Sequence, residues 1–301
     1  GQAALAQADA DADSTGDACD VPRYLAEGAT SSFFSTRLAL ANPSDDEQHV
    51  ALRFLLTDGT LVTHDMAVPA QRRTTFDPKD LTGFDQAEFS TTIDSAGPVL
   101  VDRTLSWDAS AYGSHAETAI VSPATTWYLA EGATHSGLEL FYLVQNPDPV
   151  RAATVEITFL RPGGVPPIVR TYDVGAHSRF NVWVDQIPEL SNTDVSAVLR
   201  ATNDVRIIVE RAVYLSGHGR FFDAGHESAG VTAPATSWFL AEGATGAMFD
   251  LFVLVANPGT QPARVRATYL LPSGQTLAKD YDVAAQSRFN IWVDYEDARL
   301  A

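Results

Sequence analysis

Cysteine is nearly absent from this sequence: Cys19 stands alone, so no disulfide can form within the chain, although one between chains stays open. Lysine is almost as scarce. Lys79 and Lys279 are the only two among 20 basic residues, which face 38 acidic ones for a net charge of −18. Such a surface repels phosphate backbones and disfavours nucleic-acid binding. No apolar run approaches the roughly 18 residues needed to cross a membrane, and helical periodicity is nowhere sustained. The seven histidines show no metal-ligand spacing such as His-Glu-x-x-His, and no glycine loop suits a phosphate. His226-Glu227-Ser228 is contiguous, but strand neighbours point to opposite faces and cannot form a triad. Ser216-Gly217-His218-Gly219 lacks the strand-turn-helix setting of a nucleophile elbow. The chain therefore reads as non-enzymatic.

What is present is repetition. Trp127-Tyr128-Leu129-Ala130-Glu131-Gly132-Ala133-Thr134 recurs as Trp238-Phe239-Leu240-Ala241-Glu242-Gly243-Ala244-Thr245, with an earlier copy at Tyr24-Leu25-Ala26-Glu27-Gly28-Ala29-Thr30. Identity at domain-sized intervals marks a tandem array. An Asn-Pro pair follows each motif at one fixed distance, beginning at Asn42, Asn146 and Asn257. Period-two apolar runs come next: Val50, Leu52, Phe54; Val155, Ile157, Phe159; Val265, Ala267, Tyr269. This alternation predicts half-buried strands. Each closes on turn residues, Asp58-Gly59, Gly163-Gly164 or Ser273-Gly274. Further on, Ala176-His177-Ser178-Arg179-Phe180-Asn181 matches Ala285-Gln286-Ser287-Arg288-Phe289-Asn290, while the first copy keeps Ala70, Gln71 and Arg73. Apolar runs ending in an acid-arginine pair, Asp102-Arg103 and Glu210-Arg211, lie in the two long units.

These spacings divide the chain into an acidic leader over 1–22, repeats over 23–124 and 125–235, and a partial repeat over 236–301. The linkers Pro123-Ala124-Thr125-Thr126 and Pro234-Ala235-Thr236-Ser237 predict short, stiff joints. Strands are expected in the first repeat near 23–27, 36–41, 50–56, 61–67, 72–76, 87–93 and 99–107. Seven short strands with a turn every 8–12 residues fit an all-β chain of tandem immunoglobulin-like β-sandwich modules, the third incomplete. The third is expected either to continue past Ala301 or to be completed by strands from another chain.

A glutamate inside an apolar strand needs a partner. Glu27, Glu131 and Glu242 recur in identical surroundings, and Glu131 is expected to pair with Arg211 or Arg179; Arg103 is the first-repeat counterpart of Arg211. Trp127 and Trp238 sit where one unit meets the next and are expected to stiffen those joints.

In the leader, Asp9, Asp11, Asp13, Asp17 and Asp20 occupy loop positions 1, 3, 5, 9 and 12 of an oxygen cage for calcium, with the Thr15 carbonyl at position 7. The Asp-x-Cys-Asp ending resembles a thrombospondin type-3 repeat, a calcium-bound spacer of secreted proteins, although Ser14 stands where that loop usually has glycine and the partner cysteine is missing. The Trp-Tyr-Leu-Ala-Glu-Gly-x-Thr motif resembles a family of bacterial secreted proteins that carry it in tandem. The likeness covers most of the chain. It implies placement outside the cell, at the cell surface, and a scaffold role, and it carries no catalytic residues to transfer. Ala6-Gln7-Ala8 has the small-x-small form of an export cleavage site. The resulting expectation is a structural protein, a rod-like array in a bacterial stalk, layer or filament, whose partners are copies of itself or other surface proteins. The alternatives are an adhesin or carbohydrate-binding array, or the non-catalytic part of a secreted enzyme.

Overall fold

The computed structural model describes residues 22–108 and 110–300; the expected calcium ligands Asp9 to Asp20 lie outside them. The first repeat contributes β1 (Arg23–Leu25), β2 (Ala29–Thr30), β3 (Phe34–Asn42), β4 (Gln48–Leu56), β5 (Leu61–Val68), β6 (Arg72–Phe76), β7 (Ala87–Ser95), β8 (Leu100–Trp107) and β9 (Gly113–Thr118). The second contributes β10 (Thr126–Leu129), β11 (Leu138–Asn146), β12 (Ala153–Leu160), β13 (Ile168–Val174), β14 (Ser178–Trp183), β15 (Ser196–Ala201), β16 (Ile208–Gly217) and β17 (Arg220–Ala229). The third supplies β18 (Phe252–Asn257), β19 (Ala263–Leu270), β20 (Thr276–Val283) and β21 (Ser287–Trp292). No α-helix occurs among the described residues.

The alternating sequence runs become strands with one buried face, as in β4, where Val50, Leu52 and Phe54 point inward. The Asn-Pro motif has a common structural role. Asn146 donates from Nδ2 to the carbonyls of Arg151 (2.8 Å) and Val174 (3.1 Å), while its Oδ1 accepts the Asp148 N–H (3.0 Å). Asn257 does the same with Gln261, Val283 and Gly259, and Asn42 with Asp46, Val68 and Ser44. One amide thus ties the loop after its strand to the following hairpin, satisfying backbone groups that the turn would otherwise leave unpaired.

Strand order is the same in both complete repeats: β1-β7-β4-β5 (β2 also on β7) and β6-β3-β8-β9, then β10-β15-β12-β13 and β14-β11-β16-β17. These four sheets are arranged as a four-bladed β-propeller, which corrects the expectation of immunoglobulin-like β-sandwich modules. Consecutive strands such as β3 and β4 enter different sheets, so the blades are interleaved along the chain. The expectation failed for a physical reason: strand period and turn spacing fix which face of a strand is buried, not what sheet it meets. A second departure concerns independence of the units. One hydrophobic cluster joins Tyr24, Ala26, Leu105 and Trp107 of the first repeat to Leu143, Val209 and Tyr214 of the second. A smaller cluster, including Leu25, Leu52, Phe54 and Phe89, belongs to the first repeat alone.

The third repeat has only two-stranded ladders, β18-β21 and β19-β20, equivalent to β11-β14 and β12-β13. Counterparts of β15, β16 and β17 are not found among the described residues. Its buried core is correspondingly small: Ile291, Val293 and Leu300.

Candidate functional site at the junctions between repeats

The recurring charged residues meet where one repeat adjoins the next. At the first junction the fully buried Arg103 guanidinium donates Nη1–H to Glu210 Oε2 (2.7 Å) and to the Glu27 carbonyl (2.9 Å), and Nη2–H to Glu227. Its Nη2 also lies 3.4 Å from Glu27 Oε2. Glu210 Oε2 accepts the Glu27 backbone N–H at 2.8 Å. Tyr214 donates its hydroxyl to Glu27 Oε1 at 2.9 Å, and His115 Nε2 lies 3.2 Å from that hydroxyl. Three residues of this set belong to the first repeat, Arg103 on β8, His115 on β9 and Glu27 between β1 and β2, and three to β16 and β17, so the junction exists only when both repeats are present.

The strand period explains the convergence. Glu210 and Arg211 are neighbours on β16 and face opposite ways. Arg211 turns to its own repeat, with Nη2 2.9 Å from Glu131 Oε2, and Glu210 turns back to the preceding one. Arg211, of the two cations anticipated for Glu131, is the one that pairs with it. The acid half of the acid-arginine motif was the residue that sequence reasoning left without a role, and the signal for it was this alternation.

Three carboxylates around one guanidinium shift the local ionisation. Burial acts to lower Arg103, but Glu210, Glu227 and Glu27 outweigh it and hold the guanidinium well above its ordinary value. Burial, with the nearby Glu210, pushes the Glu227 carboxyl far above its ordinary value. Burial also holds His115 below the usual imidazole value.

The second junction has the same frame with fewer acids. Arg211 donates to the Glu131 carbonyl (3.4 Å), to Ser228 Oγ (2.8 Å) and to His226 Nδ1 (3.4 Å). Because arginine can only donate, His226 carries its proton on Nε2 and donates it to Glu131 Oε1 at 3.1 Å. Burial pulls Glu131 upward, but the His226 hydrogen bond and the Arg211 charge prevail and hold it below the usual carboxylate range. Its side chain is 36% exposed, against 7% for Glu27.

A second contact crosses each junction in the reverse sense. Arg179 on β14 donates Nη1–H to the Gly28 carbonyl (3.0 Å) and Nη2–H to Asn181, whose amide donates to Glu88 Oε2 (3.0 Å). Arg288 on β21 repeats the arrangement. It donates to the carbonyls of Gly132 and Val195 (2.8 Å for the latter) and to Asn290, whose amide donates to Asp194 Oδ2 at 3.0 Å. The motif glycine is required beneath these clamps. A Cβ at Gly28 would stand 2.9 Å from the Phe89 carbonyl, and one at Gly132 would stand 2.7 Å from that of Val195.

The tryptophans divide differently from expectation. Trp127 is buried within the second repeat and donates to the Ile207 carbonyl at 2.9 Å. Trp107, not singled out from sequence, is the one at the first junction, donating to the Phe222 carbonyl and stacking edge-on to Tyr214 at 5.2 Å. Trp238 and Glu242 are exposed. On β17, His226 and Ser228 face Arg211 while Glu227 faces Arg103, so the triplet is split between two junctions.

Glu27, His115 and Glu227 have donor atoms within 4.8 Å of one another, a spacing that could bracket a cation. The Arg103 guanidinium already holds the cationic place against two of them, and a divalent ion would face that fixed positive charge. The three read as a cradle for Arg103. A cavity of about 130 Å³ opens beside them, lined by Phe34, Phe141, Arg179 and Phe222 among others. This is below the roughly 300 Å³ at which small-molecule pockets begin.

No family model matches the chain. No curated protein matches it either. Among solved structures, the crystal structure of Thermotoga maritima 1070 is similar over 34% of this chain and 94% of its own, at 12% identity and a TM-score of 0.31. A likeness at that level carries no argument about fold or function. No helix among the described residues is long and apolar enough to cross a membrane.

Proposed function

We propose that the chain is a non-catalytic structural array, placed outside a bacterial cell, whose repeats interlock through their recurring residues. One observation carries the reading. Arg179 and Arg288 cross two successive junctions to equivalent carbonyls, Gly28 and Gly132, with equivalent amide supports. The residues that could otherwise perform chemistry are spent on holding neighbours together, and a scaffold needs such recurrence where an active site does not. Stiffness comes from these shared cores and charged clamps more than from the proline linkers. The exterior location rests on the resemblance of the Trp-Tyr-Leu-Ala-Glu-Gly-x-Thr motif alone, and calcium at Asp9 to Asp20 remains part of this proposal. Partners are copies of the chain or other surface proteins, with strand exchange as a means of joining.

Electron microscopy of the native material, with the Arg179→Ala variant beside it, tests the proposal. Ordered filaments or sheets, shortened or lost in the variant, support it. Monomeric particles at every concentration, unaffected by the variant, would overturn it. The adhesin alternative gains nothing from Phe252 and Trp292, which are exposed but stand opposite each other on β18 and β21, not in a loop cluster.

A further inference from the structure

The cavity beside the first junction has walls that the repeat frame does not call for. Four rings line it: Phe34 of β3, Phe141 of β11, Tyr214 of β16 and Phe222 of β17. Counted from the opening motif, the place of Phe34 is taken in the second repeat by Leu138. Tyr214, three residues after Arg211, matches Ser106 after Arg103, and Phe222, four before His226, matches Ala111 before His115. Leucine, serine and alanine serve the fold at those places. The aromatic set is an addition made at this cavity.

Phe222 is held there against its own preference. Its φ is +51°, in the left-handed region that bulky side chains avoid. Ala111 shares that φ, so the backbone shape belongs to the frame and only the large ring needs a reason. Strained residues of this kind gather at ligand sites, where the surroundings fix them. Here the Trp107 indole donates to the Phe222 carbonyl, and the Tyr214 ring stacks on that of Phe222 at 4.3 Å. Phe34 and Phe141 are inclined to Tyr214 by 58° and 73°, with centroids 6.3 Å and 6.0 Å away. Rings in different planes around one space make a cage, not a flat platform. Phe34 and Phe141 are only half-buried, which leaves a way in.

Charge and hydrogen bonding narrow the occupant. Glu27 Oε2 accepts no hydrogen bond and lies 3.4 Å from Arg103 Nη2 and 3.5 Å from His115 Nε2. Glu88 also lines the cavity, with its side chain 58% exposed. Even without Glu227, the three carboxylates of Glu27, Glu88 and Glu210 face only the two guanidiniums of Arg103 and Arg179. The surroundings are therefore net negative. Arg179 gives its Nη groups to Gly28 and Asn181, and Asn181 gives its amide to Glu88. A sugar would find these hydrogen bonds already taken. A methylated ammonium needs none, only π faces and negative charge nearby. Size agrees: a cavity of about 150 Å³ holds a benzene ring, and the 130 Å³ here suits one trimethylammonium head with its first methylene.

We infer that this cavity binds a small quaternary ammonium cation of the choline type. Phe34, Phe141, Tyr214 and Phe222 hold it by cation–π contact, and Glu27 and Glu88 supply the negative field. Such binding is independent of any scaffold role.

Calorimetric titration of the full chain with choline tests it, beside 3,3-dimethylbutanol, which keeps the shape and lacks the charge. Saturable one-to-one binding of choline is expected, with the neutral alcohol about tenfold weaker. Phe34→Leu, a side chain the second repeat carries at that place, should weaken choline about tenfold, and Glu88→Gln about threefold. Phosphatidylcholine vesicles sedimented with the chain, with free choline as competitor, tell a lipid-borne headgroup from a soluble one. No saturable binding of choline, equal binding of the alcohol, or unchanged affinity in the two variants overturns the inference. The comparison of choline with the alcohol uses the unaltered chain, so the test survives a variant that fails to fold.

Discussion

The two junctions are built on one frame and differ in what has been added to it. At the first, Arg103 is fully buried among Glu27, Glu210 and Glu227, and Tyr214 and Trp107 seal the surroundings. At the second, Arg211 meets a single carboxylate, Glu131, which remains partly open to solvent. The arginine and glutamate of the motif are thus the constant part, and the acids of the following repeat are the variable part. A buried ion network of this kind is weak evidence for stability in itself, because desolvation offsets attraction, but removing one member leaves the others stranded.

That difference predicts unequal responses. Arg103→Leu leaves three buried acids without their cation and should cost about 3–5 kcal/mol. Arg211→Leu should cost roughly 1–2 kcal/mol, because Glu131 can turn to water. Urea unfolding of the two variants compares them directly, and equal losses would refute the contrast.

The pH response should separate the junctions next. Glu227 is shifted upward in the folded protein from an ordinary value of 4.5. A carboxyl raised on folding favours the folded state most below that value, and the contribution is lost as pH climbs through the neutral range. The Glu227 contribution should therefore fall as pH rises above 4.5 toward about 11, and Glu227→Gln should remove that slope from the profile. Glu131 is shifted downward, so its contribution is instead present at neutral pH and lost only on acidification. Thermal unfolding across pH, with a profile unchanged by Glu227→Gln, would show the assignment to be mistaken.

Smaller effects concern the clamps and the glycines beneath them. Arg179→Ala and Arg288→Ala each remove a buried donor to carbonyls and should cost about 1–3 kcal/mol, read from thermal unfolding. Unequal protection of the two sites from proteolysis would then show which junction yields first. Gly132→Ala should destabilise by about 1–3 kcal/mol through its clash with the Val195 carbonyl. Gly243→Ala, with no carbonyl above it, should change stability by less than about 0.5 kcal/mol. If both glycine variants behave alike, no covering strand distinguishes the two loops.

Much of the strand pattern was legible. The expected spans near 50–56, 61–67 and 72–76 coincide closely with β4, β5 and β6, because side-chain alternation is a local property. Glu131 with Arg211 was also within reach, since a carboxylate in an apolar segment demands a cation. The arrangement of the sheets was not legible, as periodicity describes one strand's faces and not the sheet it meets. The role of Arg179 was missed because its partner is the Gly28 carbonyl, which no residue type advertises. Glu210 was missed because it acts on the repeat before its own.

The direction of the clamps has a bearing on how the molecule is made. Arg179 and Glu210 lie later in the chain than the Glu27 loop they secure, Glu227 later than the Arg103 it holds, and Arg288 later than Gly132. During synthesis, which proceeds from the N-terminus, each repeat stays unfinished until its successor emerges. Assembly is therefore retroactive: every newly added unit locks the one already released.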